Sequence, residues 1–266
     1  MPWTPHWTPC ADSRRWMILA TDMDVPQIRA LSDLELLEIE MDVLWGAATA
    51  PELVIACARD GARLRIARHL EAEVARAVAA ATDGTPPEAD LDAPPPQLER
   101  CRVLLEEALG AAVRLAPGSG PSYLIHSEVT FQPTAELVKS DDADRAALRG
   151  ANPGNWRADE WLDLLDGHLG AWVMARHGER VISICHTPRS NSIAAEAGVW
   201  THPEFRGQGH AAATTALWAA LMRPTGRLLF YSTWRTNRSS QRVAARLGLR
   251  RIGSLWQLQA MRNGGA

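Results

Sequence analysis

Apolar spacing changes several times along the chain, and each change marks an element. In residues 26–45, PQIRALSDLELLEIEMDVLW, Leu and Ile recur at three- and four-residue intervals behind Pro26, which predicts an amphipathic helix. LVIACARDGARLRIARHL (53–70) places apolar residues on both sides of Asp60-Gly61 and predicts a hairpin turning there. The Ala-rich run EAEVARAVAAA (71–81) predicts a helix. TDGTPPEADLDAPPP (82–96) predicts a loop or linker, because each proline lacks a donor and disfavours helix in the residue before it. QLERCRVLLEEALG (97–110) predicts a helix ending at Gly110, and APGSGP (116–121) marks a boundary between subdomains 1–115 and 116–266.

Beyond that boundary the period shortens. SYLIHSEVTFQ (122–132) predicts a strand, and residues 139–166 predict helix broken at GANPGN. GAWVMARHGERVISICHT (170–187) predicts a second hairpin around His177-Gly178. Strands are then predicted at 193–202, 227–234 and 250–259, with helices at 209–222 and 239–248 between them. Antiparallel hairpins followed by strand–helix–strand–helix–strand imply an α+β fold. Its sheet is mixed and mostly antiparallel, flanked by helices, with the parallel part near the end and an extra N-terminal α/β subdomain ahead of it.

Composition narrows the function classes. The chain has 266 residues, 46% hydrophobic and 22% charged, with a formal net charge of −3, as expected of a soluble globular protein able to bury a core. That balance argues against nucleic acid or an anionic membrane as the main partner. The first dozen residues, rich in Pro, Thr and Trp, are expected to be poorly ordered and carry no apolar run to serve as a signal sequence. No stretch approaches a membrane span, so a cytoplasmic location is expected. Cys10, Cys57, Cys101 and Cys185 form no CxxC pair, so no metal site is expected and the thiols read as buried small apolar residues. The 11 Trp residues read mainly as packing residues, with a few free to line a ligand cleft.

The chemistry concentrates in EAGVWTHPEFRGQGHAAATTALWAAL (196–221). A strand runs into Pro203, then Arg206-Gly207-Gln208-Gly209, and a long Ala-rich helix follows. Glycines at a helix start indicate a tight or closely approached backbone, and the exposed N–H groups of a helix start bind anions. A tight turn with a helix cap and no ligand would use the same residues. The P-loop pattern is missing, as is the third glycine of a dinucleotide fingerprint.

EFRGQGHA fits the pattern Arg/Gln-x-x-Gly-x-Gly/Ala, with Arg206, Gly209 and Ala211 in the defining places, and YSTWRTNRSSQRVAARLGL follows about 20 residues later. This set resembles the GNAT superfamily of acetyl-CoA-dependent N-acetyltransferases, over roughly residues 122–259. The resemblance implies that acetyl-CoA binds with its pyrophosphate on the N–H groups of Gly207, Gln208, Gly209, His210 and Ala211, beside Arg206. It implies a pantetheine arm lying along Val199-Trp200-Thr201, which requires that strand to part from the one at 228–233. Asn237 and Ser240 stand where the family's Asn-x-x-Ala/Ser pattern meets the cofactor, and Ser239 can cap the last helix.

Acetyl transfer to an amine needs a base, because an ammonium group has no lone pair. Glu196 is the first candidate and Glu128 the second. A strand glutamate that faces solvent or pairs with an arginine is the alternative, and His126 and His186 read as polar core or edge residues. Ala244 stands where the family often has a Tyr to protonate the leaving thiolate, which leaves Tyr231, Ser232 or water for that task. The helical region after the boundary carries Asp141, Asp142, Asp144, Asp159, Glu160, Asp163 and Asp166, an acidic wall suited to a cationic amine unless it is only a solvated face. Trp156, Asp159 and Trp161 are the substrate-binding candidates. The layout is similar to that of 2'-N-acetyltransferases acting on kasugamycin-type aminoglycosides, which implies antibiotic resistance. A protein N-terminus or lysine is a second acceptor class, a non-catalytic acyl-CoA sensor is the non-enzymatic alternative, and a homodimer is open.

Overall fold

A computed structural model describes residues 31–46, 51–82 and 90–261. The expectations for the first dozen residues, for Cys10, for helix 26–30 and for 83–89 lie outside the described residues. The elements in chain order are α1 (Asp33–Trp45), β1 (Leu53–Ala58), β2 (Gly61–Ile66), α2 (Ala72–Thr82), α3 (Gln97–Leu109) and β3 (Leu115–Leu124). Then come β4 (Glu136–Lys139), α4 (Arg145–Leu148), α5 (Ala158–Leu165), β5 (Trp172–His177), β6 (Arg180–Ser190) and β7 (Ala194–Thr201). The chain continues through α6 (His210–Met222), β8 (Leu228–Ser232), α7 (Arg238–Arg246) and β9 (Arg250–Ala260). Among the described residues no helix is long and apolar enough to cross a membrane.

The chain divides into two compact units. Within the described residues, one runs to Ser122 and adds 233–236 and 251–261. Its first helix begins at Asp33, where Ser32 and Glu35 form a reciprocal cap: the Glu35 N–H donates to Ser32 Oγ at 3.2 Å and the Ser32 N–H to Glu35 Oε2 at 2.8 Å. β1 and β2 form the expected hairpin one residue earlier than the sequence suggests, turning through Arg59-Asp60. β1 also pairs antiparallel with β9, Leu53 opposite Leu258. Helices α2 and α3 close a core of Leu53, Ile55, Val78, Leu98, Cys101, Leu105 and Leu258.

APGSGP lies inside β3 instead of a boundary loop. Its glycines make room for neighbouring chain: a Cβ on Gly120 would stand 1.7 Å from the Thr233 carbonyl oxygen, and one on Gly118 would stand 2.7 Å from the Trp234 ring.

The second unit, 123–232 with 237–250, holds a sheet in the order β4-β5-β6-β7-β8. All neighbours are antiparallel except β7 and β8, which are parallel, as the strand–helix–strand pattern requires. Alternation sends Val173, Cys185, Ala195 and Ala197 to the face covered by α6 and α7, where they meet Ala212, Ala216, Trp218 and Ala244. Trp172, Met174 and Ile184 point to the opposite face, covered by Leu148 of α4 and by Trp161, Leu164 and Leu165 of α5.

The helical stretch expected over 139–166 shrinks to α4 and α5. Pro153 sits between them, and Asn152 holds an irregular turn, accepting from the Gly154 N–H at 2.9 Å and donating to the Trp156 carbonyl at 3.0 Å. The expected strand at 122–132 stops at Leu124.

Candidate active site

The loop from β7 into α6 is built to face its amides outward. Gly207 (φ 81°) and Gly209 (φ 94°) both occupy the left-handed region, where a side chain is strained. A Cβ on Gly209 would also come within 3.0 Å of Phe131 Cε1. The carbonyls of this loop are tied back: Arg246 Nη1 and Nη2 donate to Gly207 O, at 3.3 and 3.2 Å, and Thr134 Oγ1 donates to Gln208 O at 3.3 Å. In a trans peptide the N–H points opposite the C=O. Fixing those two carbonyls therefore turns the Gln208 and Gly209 N–H groups away from their anchors. Among the described residues nothing in the protein accepts from them.

Gly209 is the N-cap of α6 and offers no side-chain cap, so the first turn adds bare N–H groups and the positive end of the helix dipole. His210 is buried and shares a 3.2 Å contact with Thr134 Oγ1. Phe205 pins the turn before the glycines: its ring lies 5.4, 5.8 and 6.2 Å from those of His177, His202 and His210, under the Arg180 guanidinium at 5.5 Å. Arg206 is exposed, its Nε donating to Thr201 O at 3.3 Å.

Next to this loop the sheet opens. β7 and β8 pair only from Ala194–Leu228 to Glu196–Phe230 and then part. The His202 N–H donates to Ile182 O at 2.8 Å, across to β6. Antiparallel alternation then directs the polar groups of Gly198 and Trp200 to β6, and those of Val199 and Thr201 to the side that β8 has left. An extended amide-bearing chain can add to that edge like a strand.

Glu196 fills the point of parting. The residue is 5% exposed; Oε1 accepts from the Ser232 N–H at 2.6 Å and the Ser232 hydroxyl at 2.7 Å. Oε2 is buried and has no protein donor among the described residues. Burial pushes the carboxyl up to about 7, against the lowering effect of the Ser232 bonds and of Arg189. A carboxyl with one bonded and one unpartnered oxygen, poised near neutrality, has the properties of a general base.

The remaining candidates divide. Asn237 caps α7, its Oδ1 accepting from the Ser240 N–H at 3.2 Å; Ser239, expected to be able to cap, is exposed instead. Ser240 lies beside Tyr231, whose phenol is pushed up by burial, and Ala244 is wholly buried against α6 residues. Glu128 and His126 sit in an exposed turn after β3, because the strand ends at Leu124. No ion pair or hydrogen bond brings Glu128 to Glu196 or to the loop among the described residues.

Trp161 needs a correction: it is 1% exposed and donates its indole N–H to Leu148 O at 3.1 Å, so it packs the core and cannot meet a ligand. Asp159 is exposed and paired with Arg157 at 2.6 Å, which holds its carboxyl down at about 2. Trp156 is half-buried and meets His186 edge-on, with ring centroids 4.9 Å apart. The acidic wall is partly spent on the protein itself: Asp142 pairs with Lys139 and Asp144 caps α4.

Arg246, Thr134 and Phe131 shape the loop and were not legible in the sequence. All three come from segments distant along the chain, and no local pattern marks them.

Residues 124–250, a little under half of the chain, match the family described as "Acetyltransferase (GNAT) domain". No curated protein matches the sequence. Among solved structures the chain is similar to a GNAT-family protein of Novosphingobium aromaticivorans, at 24% identity over 55% of this chain and 66% of that one, with a TM-score of 0.40. It is similar to a GCN5-related N-acetyltransferase-like protein of Streptococcus suis at 17% identity, over 79% of this chain and 85% of that one, with a TM-score of 0.41. A GCN5-related N-acetyltransferase of Kribbella flavida matches at 16% identity, over 64% of this chain and 65% of that one, with a TM-score of 0.44. The chain thus spans just under two thirds of the first and third of these structures.

Proposed function

From the premise that residues 124–250 form a GNAT-family acetyltransferase domain, we propose that the protein moves an acetyl group from acetyl-CoA to a primary amine of a small cationic molecule. The observation that carries this reading is the junction of two bare backbone surfaces. The polar groups of Val199 and the N–H of Thr201, left open where β8 departs, lead into the unpartnered N–H groups of Gln208, Gly209 and the first turn of α6. That order, a strand-like edge and then an anion cradle, fits an amide-bearing arm ending in a pyrophosphate. Arg206 adds an exposed cation at the cradle.

Acetyl-CoA, when bound, supplies the acetyl group as a thioester, so the C–N bond forms as the C–S bond breaks. Glu196 removes one proton from the incoming ammonium, directly or through water, which frees the lone pair for attack. A backbone N–H at the open edge polarises the thioester carbonyl. The second amine proton leaves as the amide forms, and the sulfur departs as a thiolate. A thiol has a pKa near 8.5, so the thiolate needs no dedicated acid and takes its proton from solvent. Ala244 in the place of a tyrosine is compatible with that course.

For the acceptor, a kasugamycin-type aminoglycoside is our first choice. The segment 139–168 holds seven carboxylates against Lys139, Arg145, Arg149 and Arg157, so it keeps an excess of negative charge even after its ion pairs form. Resistance to such an antibiotic would follow from acetylation of its amine. Protein amines are the second acceptor class.

Two measurements test the reading. Thiol release from acetyl-CoA is expected with kasugamycin or related aminoglycosides, and not with peptides; release with peptides alone would move the acceptor to protein amines. Gly209→Asp places a carboxylate at the cradle, and Gly209→Asn is its uncharged isostere. The Asp variant is expected to bind coenzyme A about a hundredfold more weakly than the Asn variant, both remaining folded. Equal affinities would remove the anion cradle, and with it the function.

A further inference from the structure

Across β5, β6 and β7 one row of the sheet reads Trp172, His186, Gly198, each opposite the next. The row lies on the face that carries Glu196 and Trp200. Glu196 and Gly198 are two residues apart, so the row stands roughly 7 Å along the strand from the carboxylate. Between His186 and Arg189 the register of β6 shifts, with Thr187 and Pro188 forming a bulge, a device that re-aims neighbouring side chains.

The imidazole of His186 is fixed across Gly198. A Cβ on Gly198 would stand 2.6 Å from His186 Cε1 and 2.9 Å from Pro188 Cγ, so only glycine admits the ring there. His186 Nδ1 lies 3.0 Å from Gly198 O, and a carbonyl only accepts, so Nδ1 carries the hydrogen. Burial lowers the imidazole to about 4, so the ring is neutral at neutral pH and Nε2 presents a lone pair.

No protein donor among the described residues reaches that lone pair. Nε2 is also absent from the sealed, unpartnered polar atoms of this unit, which include Trp156 Nε1 and Trp172 Nε1. Trp156 meets the imidazole edge-on, and wholly buried Trp172 stands opposite His186 in the sheet. An acceptor that no protein donor reaches and that is not sealed is left for a donor from outside the protein.

We propose that His186 Nε2 binds the reacting amine, accepting one of its N–H groups. Glu196 then takes the proton that must leave, and the nitrogen lone pair is turned toward the open edge of β7. This rests on the acceptor side of the function proposed above, and it assigns to His186 a substrate contact in place of a packing role.

Two amide substitutions separate these roles. Asparagine puts its N–H₂ near the place of Nδ1, which keeps the bond to Gly198 O and removes the Nε2 acceptor. Glutamine reaches the place of Nε2 and restores an acceptor there. The readout is calorimetric binding of kasugamycin, with glucosamine and spermine alongside, to the coenzyme A complex, which carries no acetyl group and needs no turnover. His186→Asn is expected to weaken amine binding about tenfold, with melting temperature and coenzyme A affinity unchanged, and His186→Gln to recover most of the loss. An Asn variant that binds as well as the natural protein overturns the proposal, as does the absence of any amine binding. Weakening in both variants together with a lower melting temperature also overturns it, because the ring would then be a brace. Amine binding that behaves as expected without thiol release would instead count against the acetyl-transfer reading.

Discussion

Glu196 joins two properties that usually exclude each other, deep burial and a requirement to ionise. With its carboxyl at about 7 in the fold and 4.5 in the unfolded chain, the folded protein holds a proton that the unfolded protein has released between those values. Stability therefore falls as pH rises through that window, by about 3 kcal/mol at most. Glu196→Gln removes the titration, and urea unfolding at about pH 5 and about pH 8 should show the natural protein losing stability relative to the variant at the higher pH. The same substitution should lower kcat roughly a hundredfold or more with coenzyme A affinity unchanged, and the natural rate should rise with an apparent pKa near 7. A flat pH–rate profile would remove Glu196 as base. The place of Glu196 on the strand before the loop could be read from the sequence. Its Ser232 partner could not, since that contact exists only because two strands part.

Among the elements, those with strong local signatures were legible. The hairpin of β5 and β6 and the helices α6 and α7 lie where alternation, glycine and the Asn-Arg-Ser-Ser start place them. β3 was hidden by Gly118 and Gly120, which look like loop punctuation but serve close chain approach. Trp161 was misjudged because a helical Trp in an acidic segment looks the same whether it faces a cleft or a core; only packing decides, and Leu148 O takes its N–H. Trp161→Ala should therefore destabilise the fold by about 3–5 kcal/mol, read as a shifted denaturant midpoint, through the cavity it leaves. The loop depends on α7 in a way no periodicity encodes. Arg246→Ala frees Gly207 O, and coenzyme A affinity is expected to fall about tenfold while helix content is kept. Unchanged affinity would show that the cradle holds its shape alone.

At the scale of the whole chain, each unit has its own apolar core, and a formal net charge of −3 gives no long-range attraction for a polyanion. Binding is thus left to local groups in one unit. Coenzyme A at about a hundred times its Kd should stabilise that unit by about 2.7 kcal/mol, visible as hydrogen-exchange protection concentrated in 123–232 and 237–250. Protection spread evenly over both units would contradict the assignment. The parting of β7 from β8 also bears on how such a protein can change over generations. The carrier would be gripped there by main-chain atoms, which every amino acid supplies alike. Side chains on the face of Glu196, such as that of Trp200, can then mutate toward new acceptors while the donor grip is inherited intact.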